Sequence, residues 1–216
     1  MKRLLVTSIS LLCATATAFG LGKAQVRFLA ESVPDDLGKI TWVADGKEGA
    51  GFTLESTQLS ETATVPARVF GLQTVSDKRK LCAVTLPDVG SSFIVLLIPD
   101  APGSFKSVVI DADTRSFQSG DVFLYNRTDK TISGNLGDSR FELAPNEGSK
   151  TRPGGDLSQG SYQADFNVRE EAGDRMLRSM RWPVQTRSRS YCFFFTDPVK
   201  HRPDFRTVDE FVSTGK

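Results

Sequence analysis

Apolar residues fall along this chain in short runs, interrupted by clusters of Gly, Pro, Asn and Asp. Tyr162, Ala164, Phe166 and Val168 alternate with Gln163, Asp165, Asn167 and Arg169, which predicts a strand with one wet face. Phe93–Ile98 and Tyr191–Phe195 carry no such alternation and predict strands covered on both sides. By the same reading strands fall at Gln25–Ala30, Lys39–Val43, Gly51–Leu54, Val65–Phe70, Leu81–Leu86, Ser92–Ile98 and Phe105–Ala112. They continue at Val122–Tyr125, Ile132–Leu136, Ser139–Leu143, Tyr162–Arg169, Met176–Trp182, Ser190–Thr196 and Phe205–Asp209. No amphipathic helix longer than about ten residues interrupts the series. The pattern is that of an all-β chain, a mainly antiparallel β-sandwich.

Asp121–Pro145 gives the sharpest expectation, three strands joined by two turns. Gly137-Asp138 suits a tight hairpin turn, because glycine accepts positive φ. A two-residue loop there pairs Leu136 with Ser139, Gly134 with Phe141 and Ile132 with Leu143. That register sets Ile132, Leu136, Phe141 and Leu143 on one face, with the Phe141 ring over the bare backbone of Gly134. A slip of one residue would turn half of these groups to water. Glu31–Gly38, Asp45–Gly51 and the glycine-rich Glu147–Gly160 read as loops, the last either a binding loop or a mobile one.

One echo divides the chain. FIVLLIPD (93–100) leads to Phe105-Lys-Ser-Val108, and SYCFFFTD (190–197) leads to Phe205-Arg-Thr-Val208. Either the chain has two similar halves, or β-hairpins converge on such patterns.

Lys2 and Arg3 precede the apolar run Leu4–Cys13, and small residues follow at Ala14, Ala16 and Ala18. This is the layout of a secretory signal, expected to be cut after Ala18 or, alternatively, after Ala24. The run is shorter than the ~20 apolar residues that span a bilayer, and no other stretch is a transmembrane candidate. Leu12 before Cys13 is too bulky for a lipidation signal. The expected location is therefore periplasmic or extracellular. Removing two of the 27 basic residues with the signal leaves 25 against 26 acidic ones, a balance that gives no case for nucleic acid. Fifteen phenylalanines supply ample core material.

An oxidising compartment changes the reading of Cys82 and Cys192. Paired, they would close a loop of about 110 residues, for which the chain-entropy model gives about 4–5 kcal/mol. Unpaired, they are small buried hydrophobes.

The candidate chemistry is thin. His201 is the single histidine, in the turn DPVKHRPD, and one histidine cannot build a multi-histidine metal site. A serine triad needs only one, but no G-x-S-x-G elbow accompanies it. No cofactor or metal is called for. Asp111 with Asp113, and Glu170 with Glu171, are the carboxylate pairs that a glycosidase would need. Asn126-Arg-Thr128 matches the N-glycosylation pattern. The densest basic region, Arg175, Arg178 and Arg181 beside Trp182, with Arg187 and Arg189 beyond, either contacts an anionic glycan or head group or guards a strand edge.

YNRTDKTISGNLGDSRFELAPNEG (125–148) resembles a pattern of uncharacterised secreted bacterial β-sandwich proteins. In that pattern an apolar strand ends in Asn-x-Thr, followed by a short strand, a glycine turn and Leu-x-Pro. Asn146 stands where the pattern more often has glycine. The resemblance implies a fold neighbourhood and an envelope location, and carries over no catalytic or ligand-binding residue. The expectation for function is a non-enzymatic envelope module that binds a protein or glycan; the alternative is a carboxylate-dependent hydrolase of an envelope or extracellular polymer.

Overall fold

The computed structural model describes residues 23–212, which form strands and turns without a helix. The proposed signal, apart from Lys23 and Ala24, lies outside them. Nine strands make the first half: β1 (Ala24–Ala30), β2 (Lys39–Ala44), β3 (Lys47–Glu48), β4 (Phe52–Thr53), β5 (Ala63–Val65), β6 (Val69–Thr74), β7 (Lys80–Thr85), β8 (Ser92–Pro99) and β9 (Phe105–Asp111). Eight make the second: β10 (Val122–Asn126), β11 (Ile132–Leu136), β12 (Ser139–Leu143), β13 (Gly148–Thr151), β14 (Ser161–Glu170), β15 (Gly173–Pro183), β16 (Ser188–Thr196) and β17 (Pro203–Phe211).

The halves share one topology. The first has sheets ordered β5-β1-β8-β9 and β3-β2-β6-β7, with β4 paired to β2; the second has β13-β10-β16-β17 and β12-β11-β14-β15. In each, the first strand runs parallel to the penultimate one, and every other pair is antiparallel. The echo at 93–108 and 190–208 therefore records two equivalent hairpins, β8–β9 and β16–β17.

The four sheets form three apolar layers. Val26, Phe28, Leu72 and Val95 belong to the core of the first half, and Leu124, Phe166, Cys192 and Phe194 to that of the second. Between them lies a third cluster, in which Leu29, Leu96 and Ile110 meet Phe123, Tyr191 and Phe193. This is why β8 and β16 lack alternation: each has a core on both faces. Fully burying a side chain of this size is worth about 1.5–3 kcal/mol, so the seam is a substantial part of the fold. Polar groups frame it. Arg27 pairs with Glu210 at 2.8 Å, Lys150 with Asp111 at 3.1 Å, and Arg127 with Glu31.

The hairpin register is the expected one, Ile132↔Leu143, Gly134↔Phe141 and Leu136↔Ser139. The first turn differs. Val122–Asn126 is in an inner sheet and the hairpin in an outer one, so the chain crosses over instead of folding back. Asn126 organises that crossing: its Nδ2 donates to the Lys130 and Leu143 carbonyls at 2.8 and 3.0 Å, and its Oδ1 accepts from Thr128. Fully buried and committed in this way, its amide is out of reach of a glycosylating enzyme in the folded chain. Asn146, where the pattern prefers glycine, takes φ +64°, a conformation that asparagine tolerates better than most residues.

Three segments are assigned differently. Val65–Phe70 is two strands, broken at Pro66, whose missing N–H cannot join a ladder. Asp45–Gly51 contains β3. Glu147–Gly160 begins with β13 on the edge of β10 and is held further on by Ser139 Oγ donating to the Arg152 carbonyl at 2.7 Å. Ala24 opens β1, buried and paired with Val65, so a cut after Ala24 would remove a core residue, whereas one after Ala18 leaves β1 whole.

Candidate functional site

The basic segment 175–182 is β15, an edge strand of the outer sheet in the second half. Alternation alone would place Arg175 and Arg178 on opposite faces. A β-bulge overrides it: Phe166 faces Arg178 and Asn167 faces Met176, leaving Leu177 as the extra residue. Arg178 opposite Phe166 and Arg175 opposite Val168 thus come to the inward side together. Arg181, opposite Gln163, lies on the outer face, where its Nε and Nη2 donate to Ser161 Oγ at 3.1 and 2.7 Å. Trp182 is buried, its ring stacked on Tyr162 at 6.4 Å and set edge-on to Phe166 at 6.0 Å. The four residues singled out from sequence therefore separate: two arginines share a site, one faces away, and the tryptophan is core.

The site itself is a groove of about 260 Å³ between β15 and the β16–β17 turn, lined by Arg175, Leu177, Arg178, Lys200, Arg202, Pro203, Asp204 and Phe205. Its floor is apolar, for Phe205 packs against Phe166 and Phe194 with centroids 5.0 and 6.1 Å away. Arg175 donates to Glu170 at 2.9 Å, and Lys200 stands 3.8 Å from Asp197. Among the described residues Arg178 and Arg202 make no salt bridge. Asp197 is spent on the turn: the N–H groups of Lys200 and Val199 hold its carboxyl below the usual range. Asp204 accepts the N–H of Phe205 at 2.8 Å. The groove therefore offers unspent positive charge over an aromatic floor. A wider hollow of about 580 Å³ beside Asp129 and Glu171 offers less, since its Arg169 and Lys130 are already paired with Glu142, Asp174 and Glu170.

Lys200 and Arg202 escape a reading of the sequence as segments. They flank His201 in a turn about 25 residues beyond Arg175, and only the stacking of the sheets brings them across from β15. His201 itself is exposed, in a left-handed conformation (φ +50°), with its N–H donated to the Asp197 carbonyl at 2.9 Å.

The carboxylates nominated for hydrolysis are committed elsewhere. Burial alone would raise Asp111, but Ser116, the Asp113 N–H and Lys150 hold it below its ordinary value. Arg115 holds Asp113 lower still, through its side chain and its N–H. Arg175 keeps Glu170 low. A general acid working near neutral pH needs the opposite shift. Among the described residues no cluster of His, Cys, Asp and Glu is arranged to hold a metal ion.

The cysteines do not pair. Cys82, on β7, packs against the core of the first half and Cys192, on β16, lies within that of the second, so the thiols are in separate cores with the central apolar layer between them. Burial pushes Cys82 up to about 11 and Cys192 higher still. Iodoacetamide at neutral pH should accordingly modify both slowly in the folded protein and readily after denaturation without reductant. Peptide mapping that finds the 82–192 disulfide in the folded protein would contradict this.

Compared with known protein families and with curated proteins, the sequence matches no family model and no curated sequence.

Proposed function

We propose that this protein is an exported, non-enzymatic module of the cell envelope that holds a negatively charged protein or glycan at the groove beside β15. One observation carries the reading: cations from two sheets converge on that groove, and Arg178 and Arg202 reach it without a carboxylate of their own. Placing like charges together costs energy unless a partner neutralises them. The signal-like N-terminus and the resemblance of 125–148 to secreted β-sandwich proteins support the location.

Arg178→Glu/Arg202→Glu tests it. Both positions are exposed, so the double variant should fold as the parent does. Retention on envelope fractions and on immobilised polyuronate is expected to fall at least tenfold, and added salt should weaken the parent's binding in the same way. Retention unchanged by either treatment would remove the reading.

A further inference from the structure

The two halves can be laid over one another strand by strand, and the bulge supplies the register. In β6–β7 the pairing shifts between Leu72 and Gln73, opposite Cys82 and Lys80, which leaves Leu81 as the extra residue. In β14–β15 the extra residue is Leu177. Leu81 thus corresponds to Leu177, Cys82 to Arg178, Ala83 to Ser179 and Pro87 to Pro183. KLCAVTLP (80–87) and MLRSMRWP (176–183) are the same strand in two copies.

The copies differ in what meets their free edge. In the first half β9 lies along β7, and Ser107 Oγ donates to the Ala83 carbonyl at 2.9 Å. The small Cys82 lets the strands approach. In the second half Arg178 occupies that position, and among the described residues no side-chain hydrogen bond joins β17 to β15. Ser179 turns its hydroxyl to the outer face, donating to Asp165 at 2.7 Å. β15 is also much the longer, eleven residues against six. The edge strand that β9 lies along in the first half has no such neighbour in the second.

We propose that β15 takes an acidic extended segment of a partner protein as an added strand. This rests on the groove being a binding site and names what fills it. An open strand edge presents a row of unused N–H and C=O groups that an incoming strand completes. Specificity comes from charge: alternate side chains of the added strand point into the groove, where Arg175, Arg178, Lys200 and Arg202 select glutamate or aspartate. A second copy is a poor occupant, because β15 against β15 sets arginine near arginine. Edge guarding by Arg175 and Arg178 alone would not need Lys200 and Arg202 brought in from another sheet. At about 260 Å³ the groove is sized for side chains, while the backbone of the added strand runs outside it along β15.

The probe is a labelled octapeptide alternating glutamate with valine, titrated against the full secreted chain by fluorescence anisotropy. A second peptide carries N-methyl groups along one edge, which keeps every charge and removes the ladder donors. The expected result is binding by the first, at least tenfold weaker binding by the second and by Arg178→Glu, and slowed amide exchange across Arg175–Arg181. Equal binding of both peptides, or binding of an oligouronate alone without amide protection, overturns strand addition and leaves the anion-binding reading standing. Failure of peptide and oligouronate alike overturns both. Concentration-dependent dimerisation with the same amides protected in the absence of peptide assigns the edge to a second copy and also overturns the proposal.

Discussion

Gly134→Val is expected to destabilise the second sandwich by about 4 kcal/mol or more, the range in which single substitutions cease to be tolerated. Gly134 is central in β11, with Phe141 opposite on β12 and Phe166 opposite on β14. A Cβ at this position would lie 1.9 Å from the Asp165 carbonyl oxygen and 3.0 Å from the end of the Phe141 ring. The first contact is with backbone in the middle of a sheet, which cannot yield without breaking the β11–β14 ladder. The second displaces a ring that packs on Phe166 and Phe194, at 6.0 and 6.3 Å. Ser133→Ala, at the neighbouring half-buried position, is the control and should shift stability by less than about 1 kcal/mol. Urea denaturation followed by far-ultraviolet circular dichroism compares the two. A Gly134→Val protein as stable as the parent would mean that Phe141 does not lie over residue 134, and the register would be wrong.

Arg189→Met should cost about 3–5 kcal/mol, the penalty for removing one member of a buried ion pair. Arg189 is only 2% exposed. It donates to Glu210 at 2.7 Å and to the carbonyls of Ala112 and Phe117 at 2.8 and 2.7 Å, with its guanidinium over the Phe117 ring at 4.7 Å. Glu210 also accepts from the Tyr191 hydroxyl and, across the seam, from Arg27 of the first half. Methionine would fill the space but strand two buried carbonyls and leave Glu210 with less than its full set of donors. Arg189→Met/Glu210→Met should recover part of the loss, since the buried carboxylate then goes with its buried partner and only Arg27, whose side chain is 30% exposed, loses a counter-charge. The acid limb gives an independent check. Burial alone would raise the Glu210 carboxyl, but Arg189, Tyr191 and Arg27 hold it below its ordinary value of 4.5. The unfolded chain then binds the more protons between the native value and 4.5, so stability falls as pH drops through that window. Above 4.5 the contribution is complete. Glu210→Gln, less stable at neutral pH, should lose part of this slope; identical pH profiles for variant and parent would refute the assignment.

Half of the site was legible in the residues. The run of arginines from 175 marks an unusual strand-like segment. The bulge that reunites Arg175 with Arg178 leaves no signature in MLRS, because it comes from matching β15 to β14 across a sheet, not from local preference. Trp182 stands beside the arginines in sequence yet is buried in the core, and a tryptophan side chain is the same until its neighbours are known. The cysteine question was of the same kind: each falls in a strand, and only the stacking order of the sheets puts them in separate cores.

By itself the sequence determined most of the strands, though not β3, β13 or the break at Pro66, and it determined the turn at Gly137-Asp138 and the register of the hairpin it closes, because these depend on side chains two residues apart and on the φ angles glycine allows. It determined, too, that β8 and β16 are covered on both faces, since an apolar residue at every position leaves no side for water. The tertiary structure alone decided that the chain after Asn126 crosses to another sheet, that two halves share one topology, and that β9 lies along β7 while β15 has no such neighbour. Those outcomes turn on contacts between residues tens of positions apart, whose partners are chosen by layer packing and by differences as small as Cys82 against Arg178.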